Sequence, residues 1–337
     1  MDNIKVNIEK SPIPLLWIDT SILIKMAKSS LGEKISEQEK QQVQYLYDAI
    51  IKKTKDKKLI CPEADQQEEI ELGERLEKEC REIQTKLSLG IEFIHRQGIE
   101  DLLISKFMKA YIDKDKEVNL TYKELFHGNP IEKLDEALGR QFIIDVHIPL
   151  PREMLEKRKK IKREIPIEWE TLRQEKIKAG NTFEQEKEME FRAYLTAFLK
   201  LKRKYISGLL RGEFNVDDFL GAAGFMHYEK MWESYKGEPH GLNGLALFFL
   251  SDYFKQIPTI NIGCSLRARL ATSPNPIKSG DYLDIGQIST VLPFFTFIIT
   301  DRAMKNHIRS LGFHKIYNTG VLSMRDFAEV KKFIESL

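Results

Sequence analysis

Two apolar runs near opposite ends of the 337-residue chain constrain its fold more than any other feature. Leu15-Leu16-Trp17-Ile18 stops abruptly at Asp19-Thr20-Ser21, and Phe295-Thr296-Phe297-Ile298-Ile299 stops at Thr300-Asp301. Each run has the length of a strand, is almost wholly apolar and is followed by a helical pattern, as expected of strands buried on both faces of a parallel sheet. Ligands of such sheets gather outside the carboxyl ends of the strands. The two aspartates can therefore share one site although most of the chain separates them.

The remaining segments extend this α/β pattern and interrupt it once. Residues 14 to 19 read as a first strand, and 21 to 29 and 37 to 55 as two helices, with Ser36 or a neighbour as a start signal. Lys58-Leu59-Ile60-Cys61 reads as a short second strand, and roughly 64 to 87 as a long helix ended by Gly90. From about 91 to 240 the chain is rich in Lys, Glu and aromatic residues with helical periodicity, apart from Gln141 to Pro149, a loop or short strand. Gly241 to Lys255 then reads as an amphipathic helix, Pro258 to Leu270 as helix or strand, and Asp281 to Leu292 as a helix stopped by Pro293. A strand at 295 to 300, a helix at 301 to 311 ended by Gly312, a strand at Phe313 to Tyr317 and a helix at Met324 to Leu337 complete the expectation. The expected organisation is a discontinuous α/β core, residues 1–90 and 255–337, opened by a mostly helical insertion at 91–254.

Composition narrows the classes of function. A hydrophobic fraction of 42% and a charged fraction of 31% describe a globular chain with enough apolar material for a sizeable core. The net charge of +2 does not advertise nucleic-acid binding, so any basic face must be local. Cys61, Cys80 and Cys264 are odd in number and lack metal-ligand spacing, which argues against a disulfide framework and a zinc site. The N-terminus lacks the apolar core of a signal peptide and no stretch has membrane-spanning length, so a cytoplasmic location without membrane partners is expected.

The chemistry resides in acids. Besides Asp19 and Asp301, the candidates are Glu68 and Glu69, at the start of the helix after the second strand, and Asp281 and Asp284, three apart at a helix start where negative charge is favoured. Taken singly, Asp19, Asp281, Asp284 and Asp301 are all good helix caps, and Glu68 and Glu69 lie in a glutamate-rich surface segment. If they converge, two carboxylates about 5 Å apart repel by about 3 kcal/mol at an effective dielectric of about 20, and a cluster needs protons, cations or basic partners. Oxygen donors with no nearby Cys or His suit Mg²⁺ or Mn²⁺ better than zinc.

The ordered set Ile18-Asp19-Thr20-Ser21, Leu59-Ile60-Cys61-Pro62 with Glu68-Glu69, Gly280-Asp281-Tyr282-Leu283-Asp284-Ile285, and Ile299-Thr300-Asp301-Arg302 resembles the motifs of the PIN-like nuclease superfamily. The resemblance covers roughly residues 13 to 90 and 255 to 320. It implies a three-layer α/β/α sandwich around a mainly parallel sheet and a metal-dependent nuclease of nucleic acid, RNA rather than DNA. It further implies Asp19, Glu69, Asp284 and Asp301 as catalytic residues. Glu68 and Asp281 are added as alternative Mg²⁺ or Mn²⁺ ligands, and Thr20 and Thr300 as hydroxyls orienting ligands or water. A compact PIN-like domain connects its second and third acids far more briefly, so the insertion departs from the family.

Two basic clusters in the insertion are candidate contacts to a nucleic-acid backbone: Arg152, Lys157, Arg158, Lys159, Lys160, Lys162 and Arg163, and then Lys200, Lys202, Arg203 and Lys204. The ordinary reading of such runs is a solvated helix face, and the interleaved Phe191, Tyr194, Phe198 and Tyr205 read as core. Other chemistries fit worse. Ser21 stands where a haloacid dehalogenase phosphatase needs its second aspartate, Gly221-Ala222-Ala223-Gly224 lacks the Lys-Ser/Thr of a phosphate loop, and no Gly-x-Ser-x-Gly elbow occurs. The alternatives to an RNA nuclease are a DNA-directed nuclease effector and a non-catalytic PIN-like scaffold binding nucleic acid or protein. A protein partner or homo-oligomer is compatible with any of them.

Overall fold

The run Leu16-Trp17-Ile18 is buried along its whole length and forms the first strand of a three-stranded parallel sheet in a computed structural model that describes residues 4–140 and 151–337. The expected loop or strand at Gln141 to Pro149 lies outside the described residues. In chain order the elements are β1 (Lys5–Glu9), β2 (Leu16–Ile18), α1 (Thr20–Ser30), α2 (Glu37–Lys55), α3 (Gln67–Leu72), α4 (Glu77–Ser88), α5 (Arg96–Asp113) and β3 (Glu117–Thr121). These are followed by α6 (Pro130–Gly139), α7 (Arg152–Lys178), α8 (Phe183–Leu210), α9 (Val216–Ser234), α10 (Leu242–Leu250), α11 (Asp252–Lys255) and α12 (Pro258–Ala271). Last come α13 (Asp281–Val291), β4 (Phe297–Ile299), α14 (Arg302–Ser310), α15 (Phe313–Ile316), β5 (Gly320–Leu322) and α16 (Phe327–Ser336). The protein is thus mixed α/β, dominated by helices, with short strands in two small sheets. Among the described residues no helix is long and apolar enough to cross a membrane.

Two compact units divide the chain. An α/β unit comprises Ile8–Ile99, Leu120–Thr171 and Pro276–Leu337, and a helical unit comprises Met1–Asn7, Glu100–Asn119 and Leu172–Asn275. These bounds differ from the expected core and insertion. Residues 120–171 fall with the α/β unit, and α12 falls with the helical unit because its buried residues pack on α8.

Within the α/β unit the strand order is β2-β4-β5, all parallel, with Leu16, Trp17 and Ile18 opposite Phe297, Ile298 and Ile299, and these opposite Gly320, Val321 and Leu322. Leu16, Ile18, Ile299 and Leu322 point to one face and pack into a core with Ile22, Leu23, Val43, Leu46, Ile83 and Phe333 from α1, α2, α4 and α16. Trp17, on the opposite face, is also fully buried and donates its indole N–H to the Ala64 carbonyl at 3.4 Å. Burial on both faces explains why the strands read as unbroken apolar runs. Lys10 secures the approach to β4: its Nζ donates to the Pro293 and Phe295 carbonyls, each at 2.8 Å, and burial lowers the amine to about 7.

Several expected elements change form. The second strand, Lys58 to Cys61, is reduced to a single parallel bridge, Leu15 with Ile60, alongside β2. The long helix at 64 to 87 breaks into α3 and α4 around Gly73, and Ser251 divides Gly241 to Lys255 by capping α11 at Phe254 N–H. Phe313 to Tyr317, read as a strand, is instead the helical turn α15, with Phe313 and Tyr317 stacked across an i, i+4 spacing. The last strand is β5, a few residues later. β1 and β3, which form the second sheet, were not expected, although Glu117–Thr121 alternates buried Val118 and Leu120 with exposed neighbours.

α2 starts where Ser36 suggests. The Ser36 hydroxyl accepts from Glu39 N–H at 3.2 Å and the Glu39 carboxylate accepts from Ser36 N–H at 3.3 Å, a reciprocal cap. Ser36→Ala is expected to cost about 1 kcal/mol in chemical denaturation, the usual cost of losing such a cap.

The helical unit is held by aromatic packing and buried ion pairs. Phe198, on α8, is fully buried beside Phe225 and Phe249, and Phe191 is buried on the same helix. Glu186 is fully buried against Lys176, and Arg267 pairs with Glu190 at 2.6 Å.

Candidate active site

Asp19 and Asp301 leave adjacent parallel strands, β2 and β4, and each caps the helix that follows. Asp19 Oδ1 accepts from Ser21 N–H at 2.8 Å, while Asp301 Oδ1 accepts from Ala303 N–H at 2.6 Å and Met304 N–H at 3.3 Å. The cap reading is therefore correct for both, and it occupies one oxygen of each side chain. The second oxygen of Asp19 accepts from the Thr300 hydroxyl at 3.2 Å, a bond that ties the two strand ends together. Thr20, given a similar role from sequence, is fully buried, and its hydroxyl has no hydrogen-bond partner among the described residues.

Electrostatics shows which acids share this region. Burial pushes the Asp19 carboxyl above the ordinary carboxylate range; the bonds from Ser21 oppose the shift, and Glu69 and Asp301 add to it by repulsion. Asp284, in the first turn of α13, is pushed up to about 9, first by burial and then by Asp19, Glu69, Asp301 and Asp281 in that order. Asp281 is raised chiefly by burial, and its Oδ2 accepts from Lys278 N–H at 2.8 Å. Five of the six sequence candidates thus act on one another, with Asp284 at the centre of the repulsion.

Glu68 turns elsewhere. Its carboxylate lies 4.0 Å from the Arg158 guanidinium and raises neighbouring Asp65, which pairs with His95 at 3.1 Å and with Arg96 at 4.0 Å. Arg96 also lies against Gly286 of α13, where an added Cβ would come within 2.0 Å of its Nη1. The first basic cluster, residues 152 to 163 of α7, therefore belongs to the same unit as the acids, and its Arg158 reaches Glu68. Trp169, farther along α7, meets Tyr282 edge to face at 6.1 Å, directly beside Asp281. The second cluster lies in the helical unit, where Lys202 pairs with Glu229 and Lys204 with Asp218 on α9.

Sequence reasoning missed the polar support beneath Asp19. Gln66 is buried: its side-chain amide donates to the Ile18 carbonyl, and its Oε1 accepts from Gln84 Nε2 at 2.7 Å. Gln287 of α13 donates to the Asp65 carbonyl at 3.3 Å. No spacing signal distinguishes these glutamines from the surface ones around them.

The donor set consists of carboxylates whose charge is opposed by burial and by one another, which is the chemistry of a hard divalent cation. Among the described residues no three such donors already stand where they could hold a metal ion, so closing the set on an ion requires the side chains to move together. Comparison with protein-family models, curated proteins and solved structures finds no match to the chain.

Proposed function

We propose that the protein is a metal-dependent nuclease with a PIN-like α/β/α core, hydrolysing phosphodiester bonds in nucleic acid, RNA in preference to DNA. The observation that carries the reading is that Asp19 and Asp301, at the carboxyl ends of adjacent parallel strands, act together with Glu69 and Asp281 on Asp284 in the first turn of α13, whose carboxyl is pushed up to about 9 by burial and by their repulsion. Asp19, Asp284 and Asp301 would hold Mg²⁺ or Mn²⁺, with Glu69 and Asp281 beside them. A divalent ion bound there supplies an activated water and stabilises charge on the phosphate oxygens. The chain's own residues do the positioning. Thr300 fixes the second oxygen of Asp19, the caps on Ser21 and Ala303 orient the two strand-end carboxylates, and Gln66 holds the end of β2. Arg158 and its neighbours on α7 would bind the substrate backbone.

A panel of single- and double-stranded RNA and DNA, incubated with Mg²⁺, Mn²⁺ or EDTA, tests this. Cleavage is expected only with a divalent ion, and Asp301→Asn should reduce it by about a hundredfold or more. Absence of cleavage under every condition would leave the non-catalytic scaffold.

A further inference from the structure

A cleft of about 430 Å³ opens at the carboxyl ends of β2, β4 and β5, lined by Ser21, Lys25, Lys278, Asp301, Arg302 and Arg325 among others. Four of the twelve lining residues, Lys25, Lys278, Arg302 and Arg325, are cations, against one acid, Asp301. A separate cavity of about 250 Å³, lined by Met26, Val43, Tyr47 and Ile83, includes none of the five clustered carboxylates. The cationic cleft shares Asp301 with that cluster.

The two arginines stand at helix starts, where the helix dipole does not favour a cation. α2 and α4 carry acids in their first turns and lysines in their last, and α1 and α12 end in Lys28 and Arg269, as the helix dipole favours. Arg302 is instead the first residue of α14, and Arg325 stands just before Asp326, the N-cap of α16. Both positions add positive charge where backbone N–H groups already make the potential positive.

The acids nearby neutralise only part of the set: Glu39 pairs with Lys25 at 2.7 Å, and Asp281 lies within the influence of the Lys278 charge. Asp326 is bonded to Lys305 at 2.7 Å and to Ser323 at 3.1 Å, with Arg302 as a further, weaker influence. Asp301 directs Oδ1 to its own helix. Arg302, Arg325 and Lys278 all line the cleft, and guanidinium groups are well suited to phosphate oxygens.

We infer that this cleft binds a phosphate group of the substrate strand, next to the phosphodiester presented to the acid cluster. The inference rests on the nuclease reading for the identity of the strand. An internal phosphodiester and a terminal phosphate share the required chemistry, and their binding can be measured apart from cleavage.

The test uses the full chain in EDTA and a short oligouridylate with a fluorescent 3′ label, prepared with either a 5′-phosphate or a 5′-hydroxyl. Binding is followed across a salt series for wild type and for Arg302→Gln/Arg325→Gln, with circular dichroism melts to verify folding. The double variant is expected to bind about tenfold more weakly and to lose about one to one and a half from the slope of log affinity against log salt. If wild type gains affinity from the 5′-phosphate and the variant does not, the cleft takes a strand end. If both strands weaken equally, it takes an internal phosphate. A variant with wild-type affinity and slope, or a wild type that binds neither strand, overturns the proposal. Cleavage with Mn²⁺ is scored separately: arginine-dependent binding without cleavage would overturn the nuclease reading alone, and cleavage with arginine-independent binding would overturn the phosphate cleft alone.

Discussion

Asp284→Asn is expected to raise the melting temperature of the protein in EDTA at about pH 8 while reducing Mn²⁺-dependent cleavage by about a hundredfold or more. The direction follows from proton linkage. The carboxyl is raised from 3.8 to about 9 in the folded state, so the folded protein binds a proton that the unfolded chain has released. The stability contributed by this group is complete below about pH 4 and is lost as pH rises toward 9. By pH 7 the loss is about 4 kcal/mol, taking about 1.4 kcal/mol for each pH unit above the unfolded value. Asparagine does not titrate, so the variant avoids this loss. The advantage of the variant should shrink toward pH 5. With Mn²⁺ the order should reverse, because wild type gains stability from an ion that the variant holds poorly. Melts by circular dichroism at both pH values, with and without Mn²⁺, provide the readout. A variant less stable than wild type in EDTA at about pH 8 would mean that bonds to the ionised Asp284, rather than repulsion, dominate its environment.

The parts of this site that were legible in the sequence are those set by local rules. An apolar run that halts at an acid predicts a strand end, and both Asp19 and Asp301 stand at one. Ser36, among the start signals expected there, is the N-cap of α2, and its capping box with Glu39 is complete within four residues. Phe313 to Tyr317 failed for the opposite reason: a short segment with aromatic ends fits a strand by composition and a helix by its i, i+4 contact, and only the surrounding fold decides. The two glutamates could not be separated from sequence because both lie in the first turn of α3, and what distinguishes them is the Arg158 side chain, nearly a hundred residues away. Nothing in the sequence singles out Lys10 or Gln66, since polarity usually means exposure. Each is instead surrounded by carbonyl or amide partners from distant segments. The basic cluster at 200 to 204 looked equivalent to that at 152 to 163. Two of its members are paired with acids of α9, in a unit that does not contain the acid cluster.

The buried glutamine pair gives the second large effect. Gln66→Ala removes the acceptor for Gln84 and the donor for Ile18, leaving both groups in a dry interior, where each unsatisfied polar group costs about 1–3 kcal/mol. A total loss near 3 kcal/mol is expected in urea denaturation, since the smaller side chain also leaves a void that its neighbours fill only partly. The functional consequence should exceed that of general loosening, because Ile18 directly precedes Asp19 and its carbonyl is anchored by this amide. Cleavage should therefore fall at temperatures well below the melt of the variant, mainly through kcat and with little change in the salt dependence of binding, which depends on cations elsewhere. Gln66→Leu/Gln84→Leu provides the control. Removing donor and acceptor together spares the Gln84 amide, so the double variant should recover part of the stability while the Ile18 carbonyl stays unpartnered and cleavage stays low. If the double variant regains stability and cleavage together, Gln66 supports the fold in general and does not position the end of β2.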